Sequence, residues 1–320
     1  MVLVNRWANT PYGKLDYKVA ILLKVFEATL GDGSFSEVSP AELRELYNQR
    51  PKREGVALQS VEDRSIPGPR GQIPIRIYTA EGTGKRPLIV FYHGGGWVVG
   101  NIETHDDVTR YLAKAAGGTV VSVDYRLAPE NPFPAAVDDA YAALQWVSEN
   151  AESLGGDATG ITVAGDSAGG NLSAVVSLRA RDRNGPKIAR QALIYPATNL
   201  FRLDSQSQND FATGFFLTKE GLEWFRSHYL PRTEDRVDPY ASPLLARDHS
   251  NLPPAVVITA QFDPLRDEGE AYAEKLRQAG VPVEVVRYDG VIHGFVSFLG
   301  IVDQAAEALD LIAARIKQAN

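Results

Sequence analysis

Six short apolar runs recur along the chain, at Leu88–Tyr92, Thr119–Asp124, Ile161–Gly165, Ala192–Tyr195, Val256–Thr259 and Val283–Tyr288. Helical patterns separate most of them, among them Thr104–Ala116, Ala135–Asn150 and Asp267–Gly280. Runs this short and this largely apolar read as buried strands, and their alternation with helices specifies a largely parallel α/β sheet. Ligands on such sheets bind beyond the carboxyl ends of the strands. Upstream, Val56–Val61 and Ile73–Tyr78 alternate with period two and predict an antiparallel pair. The first fifty residues read as helical. Val19, Leu22, Val25 and Phe26 share one face, and Ser39-Pro40-Ala41-Glu42 has the order of an N-cap, a first-turn proline and a capping-box glutamate. Packing is the duty expected of these helices.

One strand end carries unusual chemistry. The run Gly160–Ala164 enters Gly165-Asp166-Ser167-Ala168-Gly169, after which Leu172, Val175, Val176 and Leu178 fall at helical spacing. A serine at so sharp a strand-to-helix bend sits in a strained conformation. Glycines two residues before and after it leave room for the bend and let the hydroxyl project above the sheet. An ordinary glycine-rich turn would look similar over five residues, so the remaining chemistry has to agree.

A serine hydroxyl needs a base within reach and a group that orients the base. Of five histidines (His93, His105, His228, His249, His293), only His293 follows both the serine and an acid at a strand end. It lies in the loop Asp289–Gly294, just after the last strand. The acid is expected at the end of the preceding strand, where Asp263 stands before Pro264; Asp267, four residues on, reads instead as a first-turn helix charge. Oxyanion donors are expected from the Ala168 amide and from His93-Gly94-Gly95-Gly96-Trp97 after Leu88–Tyr92, with Gly94, Gly95 and Gly96 as candidates. A phosphate-cradling loop is the rival for these glycines, but neither a dinucleotide fingerprint nor a Walker lysine follows. His93 is expected to hold the glycine loop. His105, His228 and His249 are expected to be solvated or locally bonded.

Composition removes other classes. Net charge is −7 with no basic run, which argues against nucleic-acid binding, and the absence of cysteine excludes disulfides and thiolate chemistry. Apolar and charged fractions of 44% and 23% fit a globular chain. Neither a signal-like start nor a bilayer-length apolar run is seen, so a cytoplasmic protein without stable membrane insertion is expected. No histidine cluster suggests a metal, and no cofactor is implied. Between Tyr195 and Val256 the alternation breaks. That interval holds Phe201, Phe211, Phe215, Phe216, Trp224, Phe225 and Tyr229, with a helix expected over Leu217–Tyr229. Most of these aromatics are expected to form a small core of the insertion's own, and the insertion is expected to cap the sheet together with the N-terminal helices.

The motifs together resemble the bacterial hormone-sensitive-lipase family (family IV) of carboxylesterases, within the α/β-hydrolases. The matching pieces are His93–Trp97, Tyr125-Arg126-Leu127-Ala128-Pro129-Glu130, Gly165–Gly169, Asp238-Pro239-Tyr240 with Ser242-Pro243, Asp263–Glu268 and His293-Gly294-Phe295. The resemblance implies an α/β-hydrolase fold with a helical cap, divided as cap 1–50, core 51–196, cap 197–240 and core 241–320. It also implies a triad of Ser167, Asp263 and His293, a bracing role for Tyr125–Glu130, a small ester of short to medium acyl chain as substrate, and homodimers in some members. Two rivals stay open: a ligand receptor on the same fold, in whose known examples the histidine is replaced, and an amide-cleaving enzyme.

Overall fold

The computed structural model describes residues 8–30, 38–49 and 55–318. Parts of the expected first cap segment, residues 1–7, 31–37 and 50, lie outside these. Eight strands form the central sheet: β1 (Ser60–Gly68), β2 (Gly71–Thr79), β3 (Leu88–Tyr92), β4 (Thr119–Val123), β5 (Ile161–Asp166), β6 (Arg190–Ile194), β7 (Ala255–Phe262) and β8 (Val283–Ile292). They lie in the order β8-β7-β6-β5-β3-β4-β2-β1. The β1–β2 and β2–β4 pairs are antiparallel and all other neighbours are parallel. The helices are α1 (Tyr17–Leu30), α2 (Pro40–Asn48), α3 (Asp106–Ala116), α4 (Ala135–Glu149), α5 (Ala168–Asp182), α6 (Gln206–Asp210), α7 (Lys219–Tyr229), α8 (Arg266–Gln278) and α9 (Asp303–Lys317).

Strand alternation divides the core in two. Leu88, Val90 and Tyr92 of β3 face one layer, with α4 residues such as Leu144 and α5 residues such as Leu172. Ile89 and Phe91 face the other, with Leu112 of α3 and Ile312 of α9. Every residue of β3, β4 and β5 is buried, as strands covered on both faces require.

The antiparallel pair departs from its expected position. The first strand begins at Ser60, not Val56, and runs through the polar residues Glu62 to Ser65 to a hairpin at Gly68. It is a sheet edge, mostly exposed and tolerant of Pro67, so its polar composition hides it from a reading based on apolar periodicity. The α2 capping box forms as expected: Ser39 Oγ accepts the Glu42 N–H at 3.2 Å and the Glu42 carboxylate accepts the Ser39 N–H at 2.9 Å. On α1, Val19 is buried but Val25 is 52% exposed, so that face only partly serves packing. Helix α7 starts at Lys219, because Thr218 Oγ1 caps it by accepting the Gly221 N–H.

The insertion has no separate aromatic core. Tyr229 stacks on Trp97 at 4.3 Å and Phe215 on Phe262 of β7 at 5.4 Å, so its rings pack onto the sheet and its loops. Phe215, Phe216 and Phe225 each present a face to a cavity above Ser167.

Candidate active site

The bend between β5 and α5 depends on absent side chains. A Cβ on Gly169 would run into the Tyr92 carbonyl, and one on Gly165 into the Gly169 backbone. Between them Ser167 takes φ 54 and ψ −115, a left-handed conformation that costs a non-glycine residue on the order of 1–3 kcal/mol. Its N–H is anchored by the Ile194 carbonyl of β6 at 2.8 Å.

The hydroxyl has its partners. His293, just past β8, sets Nε2 2.9 Å from Ser167 Oγ and Nδ1 2.8 Å from Asp263 Oδ2. Asp263 is fully buried just past β7, and its Oδ1 accepts the Leu265 N–H at 2.7 Å. An ionised carboxylate can only accept, so Nδ1 carries the imidazole proton and Nε2 presents its lone pair to the serine. The Tyr195 ring packs against His293, with centroids 4.7 Å apart, and limits its swing. Asp267 lies in the first turn of α8 and accepts the Ser207 N–H at 2.8 Å, away from the imidazole.

The three loop glycines are not equivalent. The Gly94 N–H donates to Asp166 Oδ1 at 2.8 Å, which corrects its expected place among the oxyanion donors: that proton is already engaged. Gly95 (φ +123) and Gly96 (φ +59) take conformations open to glycine, and a Cβ would strike the Val99 carbonyl at Gly95 and the Phe225 ring at Gly96. Ala168 opens α5, where its N–H has no acceptor within the helix. Gly95, Gly96, Ser167 and His293 all face one cavity of about 1070 Å³, roofed by residues of α1, α2 and the insertion, among them Phe26, Leu43, Phe216 and Phe225.

The loop is braced from behind. Tyr125 donates its hydroxyl proton to the His93 carbonyl at 2.7 Å and stacks on the His93 ring at 4.2 Å. The Ala128 N–H reaches the Trp97 carbonyl at 2.8 Å, and Arg44 of α2 bonds both the Val98 carbonyl and the Glu130 carboxylate. His93 donates from Nδ1 to the Gly94 carbonyl at 2.8 Å, and burial, helped by the nearby His105, pushes its pKa down to about 3. His249 and His228 bond locally, to the carbonyls of Pro243 and Trp224. His105 is also bonded locally, with Nδ1 2.9 Å from Thr104 Oγ1, but it is buried and its Nε2 lies 3.3 Å from Asp166 Oδ1, a contact the sequence did not suggest.

Sequence reasoning missed two carboxyl groups. Asp166 holds the glycine loop. Glu268 lines the cavity buried, accepting the Thr198 and Asn199 N–H groups at 2.7 and 3.1 Å and the Gln208 side-chain amide at 2.8 Å. Burial, with Asp263 and Asp267 nearby, pushes the Glu268 pKa up to about 8. The available signal was charge where the pattern was otherwise apolar, as with Asp166 closing an uncharged strand. Among the described residues no cluster could hold a metal ion, and no helix is long and apolar enough to cross a membrane.

A strained serine above a mostly parallel sheet, with an imidazole and a buried carboxylate in line, defines a hydrolase of the α/β-hydrolase fold. The family model described by that fold matches residues 89–297, and the chain belongs to its hormone-sensitive-lipase-like branch. It is 42% identical over 311 residues to the carboxylesterase NlhH of Mycobacterium tuberculosis, spanning 95% of this chain and 96% of the relative. To the carboxylic ester hydrolase LipN of the same organism it is 48% identical, over 79% of this chain and 69% of the relative. The solved hyperthermophilic esterase of the archaeon Pyrobaculum calidifontis superposes with a TM-score of 0.88 at 46% identity, covering 93% and 97% of the two chains.

Proposed function

We propose that this protein is a serine carboxylesterase that hydrolyses small carboxylic esters through an acyl-enzyme. The observation that carries this reading is the unbroken line from Ser167 Oγ through His293 to Asp263, at 2.9 and 2.8 Å, opening into the apolar cavity. His293 takes the serine proton as Oγ attacks the ester carbonyl, and Asp263 holds the imidazole tautomer and stabilises the imidazolium. The tetrahedral oxyanion is received by the N–H groups of Gly95, Gly96 and Ala168. Collapse expels the alcohol, which leaves with the proton from His293. Water then repeats the attack on the acyl-enzyme, and the acid returns the serine.

We assign the cap to residues 1–50 and 197–240, and the core to 51–196 and 241–320. The α1, α2 and insertion side chains that roof the cavity support this division. Carboxylic esters are the proposed substrates, a class that the names of the two mycobacterial relatives support, and short to medium acyl chains are the length we expect. A homodimer is proposed through the β8 edge of the sheet; sedimentation giving twice the 34.9 kDa chain mass would support it, and a monomer at all concentrations would contradict it.

Replacement of Ser167 tests the reading. Ser167→Ala is expected to keep the wild-type melting temperature and lose about 10⁴-fold or more in kcat on p-nitrophenyl butyrate. Near-native turnover by that variant would rule out this nucleophile.

A further inference from the structure

Behind the oxyanion loop lies a polar cluster that the proton relay does not use: Asp166, His105 and His93, all buried. Its protonation can be read from its bonds. Thr104 Oγ1 donates its one proton to the Asn101 carbonyl at 2.9 Å, so toward His105 Nδ1, also at 2.9 Å, it must accept. Nδ1 therefore carries a proton. Nε2 faces the Asp166 carboxylate at 3.3 Å, off the line of a well-aligned hydrogen bond and at ion-pair distance. A bare lone pair there would meet negative charge in a dry site, so Nε2 is protonated too. His93, whose rings lie 5.5 Å from those of His105, is the neutral member, since its Nδ1 proton is given to Gly94.

We propose that His105 and Asp166 form a buried ion pair that positions the oxyanion loop and cancels the carboxylate's charge beside the developing oxyanion. Asp166 precedes the nucleophile and grips the Gly94 N–H, so the directions of the Gly95 and Gly96 N–H groups depend on it. An uncompensated carboxylate at this place would oppose negative charge forming on the substrate, most strongly where water is excluded. His105 supplies the compensation from the start of α3. The other charged groups near it are spoken for: Glu103 and Asp106 pair with Arg76, and Asp106 also with Arg110. The carboxylate of Asp166 stays below its ordinary range although burial pushes it up, because His105 and the Gly94 N–H outweigh burial. Both are positioning residues, and their catalytic part rests on the esterase reading above.

Three measurements test the pair. In the wild type, ¹⁵N NMR at pH 7 is expected to show both ring nitrogens of His105 protonated, the resonance being assigned by its loss in His105→Gln. That variant should lose about 10- to 100-fold in kcat on p-nitrophenyl acetate with KM within about twofold, since misaligned donors act on the transition state. Adding Asp166→Asn should restore about fivefold or more of kcat over His105→Gln, because the uncompensated charge goes while an amide oxygen still accepts the Gly94 N–H. A neutral His105 in the wild type, an unimpaired His105→Gln, or a double variant no better than the single would each overturn the pair. Absence of ester hydrolysis by the wild type would instead overturn the esterase reading and leave the NMR result standing.

Discussion

The floor and the roof of the cavity are built by different physics. The floor is directional: Ser167, His293, Asp263, Asp166 and Gly94 are joined by hydrogen bonds of 2.8–2.9 Å, each fixed by a strand end or a glycine. Apart from the Arg44 bonds that anchor α2, roof contacts around the cavity are mostly apolar and angularly loose, such as Phe26 on Phe216 at 5.1 Å and 35°, and α1 and α2 leave Val25 and Leu46 at 52% and 44% exposure. A floor atom displaced by an ångström loses its partner, whereas a roof side chain can be exchanged for another of similar volume at little cost. The difference assigns bond cleavage to the floor and predicts that the roof selects which ester is cleaved.

Substitutions can break this contrast, and the largest effect belongs to the floor. Asp263→Asn keeps the shape but can hold His293 in the wrong tautomer, and kcat is expected to fall by about 10⁴-fold with KM nearly unchanged. A loss shared equally between kcat and KM would mean the floor also binds the ground state. Next is Gly95→Ala, whose Cβ must displace the Val99 carbonyl from a backbone at φ +123. Loss of one oxyanion donor predicts about a 10²- to 10³-fold fall in kcat, read against the melting temperature to separate misfolding.

The roof should respond more gently. Phe225→Ala removes a ring that abuts Gly96, and is expected to shift preference by about tenfold from acetyl toward longer acyl esters, with acetyl kcat changed only a few-fold. An unchanged acyl-chain profile would deny the roof its role in selection. The last effect falls on stability rather than rate. His93 braces the floor with its pKa pushed from 6.5 to about 3, so the unfolded chain binds the proton first. The stabilisation it gives is complete above pH 6.5 and is lost progressively as pH falls toward 3. Urea unfolding at pH 7.5 and 5.0 should show a steeper acid loss for the wild type than for His93→Gln; equal slopes would contradict it.

The same contrast explains what could be read from the chain. Strands β3 to β7 announce themselves as apolar runs because they are covered on both faces. The serine, acid and histidine follow from chain order and strand ends, and the structure brings Ser167, Asp263 and His293 together at hydrogen-bond distance. Three adjacent glycines look alike in sequence. What separates Gly94 from the others is a carboxylate 72 residues later that takes its N–H. His105 looked peripheral because its partner Asp166 is brought to it only by the sheet. The roof was least legible, because whether Phe216 packs or lines a cavity depends on which face of its ring remains uncovered. The edge strand β1 was displaced because solvent, not core, dictates its composition.

The central claim is that Ser167 is an activated nucleophile, and covalent trapping tests it most directly. A fluorophosphonate is expected to add one equivalent to the wild type, mapped by peptide mass spectrometry to Ser167, and to leave His293→Ala essentially unlabelled. An adduct on another residue, or none on an enzyme that still hydrolyses esters, would contradict the account.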